Sequence, residues 1–559
     1  MFLGLDYTIW IVLVLYLLAM LGMGWWSRKR ASDQSGYLMG NREFNAPMMI
    51  MHSFGAGTNP GDAAGVVSGS TQAGASGVWV SWLWMFGTPF YWLIAPIIRR
   101  MRCLTIADYF EERYGYGASA VYILVASSAM VVCLSSVLLA TTKTVQGMMG
   151  QATGPQAESW FYGILIVTTL TFMLYSYWGG IVAAIRTDFI QGLMMIVLSF
   201  LAVPIVLNLE TVGGISGMRE TLRTASQEQG IELLSIFDPK RFNLWVVVML
   251  CIQAPLSAMA LPHLATVCGA GKTEWTGRLG FAGGNMLKRI CTIGWAILGM
   301  AWLAHLINQG VVVDSSVADA AFGDSIRVLL PPLLQGFMLS AILAAAMSSG
   351  NAFQVTVAGL FSENLYKRYV NPEATDSQKL RITKTVGIVY VLLAVLVAIL
   401  MRDIVQAIMS YFTILALVGI STAMGILWRR MNQAGMITST LLATAVFIAT
   451  RLNVFDLPSA MAIGAPIAAG VVGGILGSLL SRPPDKARVD RFFTKIYTPV
   501  GQEDRLQQSL DAAVPSEQRW FTAGGLFVIK PSRQSWVGFL VFLGLCIACV
   551  LTMLAILRG

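Results

Sequence analysis

Apolar runs long enough to cross a bilayer recur along the chain, at roughly 6–26, 45–70, 77–98, 118–148, 159–178, 186–208, 243–268, 290–309, 328–360, 385–401, 404–428, 434–450, 461–481 and 535–557. A helix needs about 20 predominantly apolar residues to span the hydrocarbon core, and most of these runs reach that length. The pattern predicts an all-α polytopic membrane protein with about fourteen transmembrane helices. One run is interrupted: Ala56, Gly57, Thr58, Asn59, Pro60, Gly61 and Asp62 put glycines, a proline and a carboxylate into the second segment. Hydrocarbon offers no hydrogen-bond partners, so an unwound backbone survives there only where protein covers it or a wet cavity adjoins it. Broken helices of this kind hold solutes and ions in secondary transporters.

Two blocks of five segments, starting near 45 and near 243, share an order of long, interrupted and connecting helices, as an inverted repeat would. Charge supplies orientation. With the N-terminus outside, the loops near 27–44, 99–117, 269–289, 362–384, 429–433 and 482–534 all face the cytoplasm and hold most of the 38 Lys and Arg, as the positive-inside rule requires. Both termini are then outside the cell membrane. The outside stretch 209–242 has room for a short amphipathic helix over an entrance or for an ordinary solvated loop.

Composition agrees with this class. Of 559 residues, 56% are hydrophobic and 12% charged, and the net charge of +9 follows from basic loops. Aromatic and basic residues do not interleave as in a nucleic-acid-binding module. The seven cysteines lie mostly in or beside apolar runs, and Cys546 and Cys549 are expected to pack rather than bind metal. Gly269 to Thr273 lacks the first glycine and the preceding strand of a phosphate loop. Nucleophile–base pairs, paired catalytic carboxylates and metal-ligand clusters are absent from the pattern, so an enzyme is not expected. Away from the ends of the apolar runs, the charged residues are Lys143 and Asp62. A charge at bilayer depth costs at least about 2.5 to 3.5 kcal/mol, which makes both functional candidates.

Four stretches, in this order, resemble the sodium:solute symporter family: the broken helix from Gly57, Thr58 and Asn59 to Ser68 and Gly69; the run from Leu104 to Gly115; the turn from Gly179 to Gln191; and Ala344 to Ser349. The resemblance covers about residues 1–480. It implies a LeuT-type 5+5 inverted repeat: an extra N-terminal helix and linker in 1–44, the first repeat in 45–208, an extracellular loop in 209–242, the second repeat in 243–428, and two additional helices in 429–481. A cytoplasmic loop in 482–534 and a last helix in 535–559 complete the chain. By the same resemblance, sodium is held by the carbonyls of Ala56, Asn59 and Ala345 and the hydroxyls of Ser348 and Ser349. Asp188 matches the carboxylate of a second sodium site in some members, but Asn351 and Ala352 stand where that site has serines.

Substrate is expected across the same break, with Thr58, Asp62, Lys143, His263 and Tyr411 as candidates. Asp62 could meet a substrate ammonium or pair with Lys143; His263 could line a gate or simply pack. Ala63 and the helix near 404–428 lack the amide and carboxylate positions of sugar-transporting members, which favours a small organic acid or zwitterion. The expected function is sodium-coupled symport of such a solute across a lipid bilayer by alternating access. Alternatives are proton coupling, or a transporter-like sensor signalling through 482–534. Nothing in the sequence indicates oligomeric state.

Overall fold

The computed structural model describes residues 4–27, 44–103, 105–178, 181–238 and 242–558, with backbone alone at 21, 23–27, 172, 174–178, 181–188, 198 and 266. Leu104, Gly179, Gly180 and nearly all of the 27–44 loop lie outside the described residues. The chain is almost entirely helical, and nine helices among the described residues are long and apolar enough to cross a membrane. Tyr7–Met20 and Leu244–Met259 are shorter apolar helices.

Two of the expected single segments are each two helices. Segment 45–70 divides into Ala46–Gly57 and Pro60–Ala73, and segment 243–268 divides into Leu244–Met259 and Leu264–Gly269 around Leu261, Pro262 and His263. Proline explains both positions, because it has no N–H to donate back along a helix and its ring crowds the preceding turn. Segment 77–98 also departs from one helix. It winds through short turns at Gly74–Val78, Trp79–Trp82 and Met85–Gly87 before Thr88–Met101 begins.

The long helix Tyr116–Met148 lies at the centre, against Ser315–Leu329, Asp376–Met401 and Ile404–Leu427. Pro60–Ala73 packs between Gly284–Asn308 and Ser315–Leu329, so helices from the second half of the chain flank the helix that follows the first break. In the 209–242 stretch, Gly214–Gln229 is an amphipathic helix that buries Met218, Leu222 and Ala225, one helical face.

The 482–534 segment is an ordered cap rather than a solvated loop. Its helix Lys486–Tyr497 buries Phe492 and Phe493, and a small antiparallel hairpin pairs Arg519–Phe521 with Val528–Ile529. Lys495 bonds Glu112 at 2.6 Å, Arg102 bonds Glu503 at 3.0 Å, and the Val500 N–H donates to Glu274 at 2.8 Å. The Gly501 N–H, and secondarily Arg102, hold the Glu503 carboxyl below the ordinary carboxylate pKa.

Beneath this cap Arg113 is buried, donating to Gly425 O at 3.0 Å and Trp428 O at 2.9 Å. Those carbonyls end the helix Ile404–Leu427 and have no intrahelical donors. Lysine cannot reproduce the guanidinium fork, so Arg113→Lys is expected to lose roughly 2 kcal/mol. The loss would register as a lower melting midpoint of the detergent-purified protein; an unchanged midpoint would show that the fork does not brace this helix end.

Candidate substrate and cation site

Asn59 begins the second half of the broken helix. Its side chain accepts the Gly61 N–H at 2.8 Å, and Asp62 Oδ2 accepts the Asn59 N–H at 2.9 Å, a reciprocal cap that fixes the start of the helix. Because residue 60 is proline, the carbonyl of Ala56 has lost its usual i+4 donor. The break therefore presents carbonyl oxygens on both of its faces.

One face meets the helix Pro332–Gly359. Ser348 and Ser349 are buried there, and the Ser349 hydroxyl lies 3.2 Å from Gly55 O and 3.4 Å from Thr58 O. Neutral hydroxyl and carbonyl oxygens facing one another suit a hard monovalent cation, which prefers several oxygen ligands without a carboxylate geometry of its own. Thr58 and Ala345 line a small, mostly apolar cavity of about 40 Å³ on this side, with Met195, Trp295 and Phe322. The Thr58 hydroxyl is buried without a hydrogen-bond partner.

The opposite face opens on a polar cavity of about 50 Å³, room for a few water-sized groups. Ala56, Asn59, Asp62, His263 and Tyr411 all line it. So does Lys288, whose ammonium lies 2.8 Å from Asp62 Oδ1 and 2.6 Å from Gly57 O. Both side chains are nearly inaccessible, at 7% and 9% exposure, so each charge is neutralised by the other where water cannot do so. Arg289 follows on the same helix, donating to Ser81 O at 2.7 Å while its Nε has no partner. The Tyr91 hydroxyl in the same cavity lies beside the Arg289 guanidinium without a well-aligned hydrogen bond. His263 stands in the second break against Phe353, ring centroids 5.4 Å apart, and its Nδ1 has no partner.

The structure thus corrects two expectations. Asp62 pairs with Lys288, not Lys143, and Lys143 does not line the cavity: its ammonium sits over the Phe161 ring at 5.7 Å. Thr58, the residue next to Asn59, turns to the other side of the break. Asn351 is buried with an unpartnered Oδ1, whereas the side chain of Asp188 lies outside the described residues. Gly269 to Thr273 leads into a capped turn, with Thr273 accepting the Thr276 N–H at 3.2 Å, as suits a connecting loop.

The sodium:solute symporter family matches residues 37–443. The chain belongs to that family. Among its relatives, the osmoregulated proline transporter OpuE of Bacillus subtilis (strain 168) is 27% identical over 502 residues, covering 85% of this chain and 96% of its own. The sodium/pantothenate symporter of Haemophilus influenzae is 23% identical, covering 78% and 89%. The fold is that of a solved sodium-coupled sialic acid symporter in a substrate-bound outward-open state, with a TM-score of 0.71 at 17% identity over 86% of this chain and 99% of that one. This family member is a multi-pass membrane transporter and not an enzyme; its family and its fold neighbour point to sodium as a transported ion rather than a resident cofactor.

Proposed function

We propose that the chain imports a small solute bearing a carboxylate, driven by sodium bound where Ser348 and Ser349 meet the break, with the carbonyls of Ala56, Asn59 and Ala345 as its further ligands. The observation that carries this is the chemistry of the polar cavity. Two cations, Lys288 and Arg289, share it with one carboxylate, and both oxygens of that carboxylate are engaged, by the Lys288 ammonium and the Asn59 N–H. An incoming ammonium would find its natural partner taken. An incoming carboxylate would meet Arg289 Nε and the Tyr91 hydroxyl, neighbours that lack a well-aligned hydrogen bond; a buried guanidinium gains most from such a ligand. An organic acid is therefore favoured over a sugar, and the acid end of a zwitterion over its amine.

The same reading takes fourteen transmembrane helices in a LeuT-type inverted repeat, the breaks at 58–59 and 260–263 being its corresponding discontinuities, with both termini outside. Sodium stabilises the state that completes the solute cavity, and by linkage each ligand raises the affinity of the other.

Uptake into proteoliposomes under a sodium or choline gradient tests this, across short monocarboxylates, proline, pantothenate and myo-inositol. Sodium-dependent accumulation of a carboxylate is expected; equal uptake without sodium, or accumulation of inositol alone, would overturn it. Ser348→Ala removes one hydroxyl ligand worth about 1.4 kcal/mol, so the sodium concentration for half-maximal uptake is expected to rise roughly tenfold. Unchanged sodium dependence would remove Ser348 from the ion site.

A further inference from the structure

The two faces of the break differ in what neutralises their oxygens. On one side the Ser349 hydroxyl meets the neutral carbonyls of Gly55 and Thr58, a place for a cation from solution. Towards the cavity, the oxygens of Gly57 and Asp62 already surround a cation that is part of the chain, the ammonium of Lys288 at 2.6 and 2.8 Å. We propose that Lys288 is a tethered cation filling a second monovalent-cation position, which takes sodium when the side chain is shortened. The proposal deepens the sodium-coupled reading and rests on it only where transport is measured.

The physical case is one of charge and space. A buried carboxylate without a counter-charge is strongly disfavoured, and the helix cap engages only one oxygen of Asp62. The carbonyl of Gly57 adds a second hard acceptor beside it. A carboxylate oxygen and a backbone carbonyl beside a small polar cavity are ligands of the type that hold hydrated alkali cations. Lys288 supplies the charge without having to be captured from outside, so this position adds no sodium to the transport cycle. Among the described residues no cationic side chain bonds Ser349 or the carbonyls it faces, so a cation there comes from solution.

Lys288→Ala removes the ammonium and leaves space; Lys288→Met removes the charge but keeps an unbranched side chain of similar length. Each variant and the wild type would be melted in detergent in sodium, lithium, potassium and choline chloride. The Ala variant is expected to gain at least about 2 °C more from sodium or lithium than the wild type does, whereas the Met variant should stay destabilised in every salt. An Ala variant indifferent to the cation, a Met variant rescued equally well, or no folded Ala variant recovered in any salt would each overturn the proposal. Transport separates this outcome from the parent reading. If wild-type uptake proves independent of sodium, the coupling mechanism fails while the salt dependence of Lys288→Ala still reports on the tethered cation. The number of sodium ions inferred from uptake should be one higher in Lys288→Ala than in wild type if that variant transports; equal numbers would count against a second position.

Discussion

Asp62→Asn is expected to abolish uptake and to destabilise the protein by about 3 to 5 kcal/mol, the usual cost of removing one partner of a buried ion pair. Three interactions meet at this carboxylate: the Lys288 ammonium, the Asn59 N–H and, through Lys288, the carbonyl of Gly57. An amide can still accept the Asn59 N–H but leaves Lys288 charged with only a carbonyl beside it. The lost energy is mainly desolvation of an uncompensated ammonium, and it is recoverable. Asp62→Asn combined with Lys288→Met removes both charges, so the double variant is expected to melt well above Asp62→Asn alone, a coupling that additive single effects would not give. Uptake should stay low in the double variant, because the cavity no longer positions the broken helix. Thermal melts of the two single variants and the double variant decide the matter: if Asp62→Asn melts like the wild type, the pair contributes nothing to the fold of the site.

The first break was legible in the sequence because its cause is local. Pro60 has no N–H, Asn59 and Asp62 are spaced for a reciprocal cap, and both facts follow from residue identity. That Ser349 meets this break was legible only from the break and the family resemblance together, since on a small-residue helix face two serines also serve close packing. Lys288 was not legible. With Arg289 beside it, after the glycines at 283 and 284, it has the pattern of a basic loop, and the apolar run begins only at Ile290. The helical run in fact begins at Glu274, several turns earlier, and carries Lys288 inward to Gly57 and Asp62. Lys143 misled for another reason: the apolar pattern places the end of its helix correctly at 148, but five residues from that end its side chain reaches the Phe161 ring rather than the cavity. Depth along a helix depends on where the helix ends, and that is the least certain feature of any sequence pattern. The order of the 482–534 cap was hidden too, because it comes from partners far away in sequence, such as Glu112, Arg102 and Glu274.

Gly323→Ala is expected to reduce uptake by at least about tenfold by holding the protein open on the side that the proposed topology places outside. The helix Ser315–Leu329 lies across the end of Pro60–Ala73, fastened by the Ser68 hydroxyl to Asp319 at 2.8 Å. It approaches Tyr116–Met148 backbone to backbone at Gly323, where an added methyl would sit 2.0 Å from Thr144 O and 2.8 Å from Met148 N. Gly147 repeats the contact from the other helix, its missing methyl 2.5 Å from Ala320 O. Backbone cannot move aside as a side chain can, so the helices must part by more than an ångström. Overpacking of this kind costs about 1 to 3 kcal/mol. That cost falls on the closed arrangement alone if the helix lifts away elsewhere in the transport cycle, and a bias of about 2 kcal/mol shifts such an equilibrium roughly thirtyfold. A Ser68→Cys probe on a background cleared of the seven native cysteines should then react faster with a membrane-impermeant thiol reagent when Gly323→Ala is present. Sodium and solute binding, measured by their mutual stabilisation, should persist because Gly323 itself lines neither cavity beside the break. Wild-type labelling together with wild-type uptake would show that this helix closes no gate, and faster labelling with undiminished uptake would show that it moves without limiting transport.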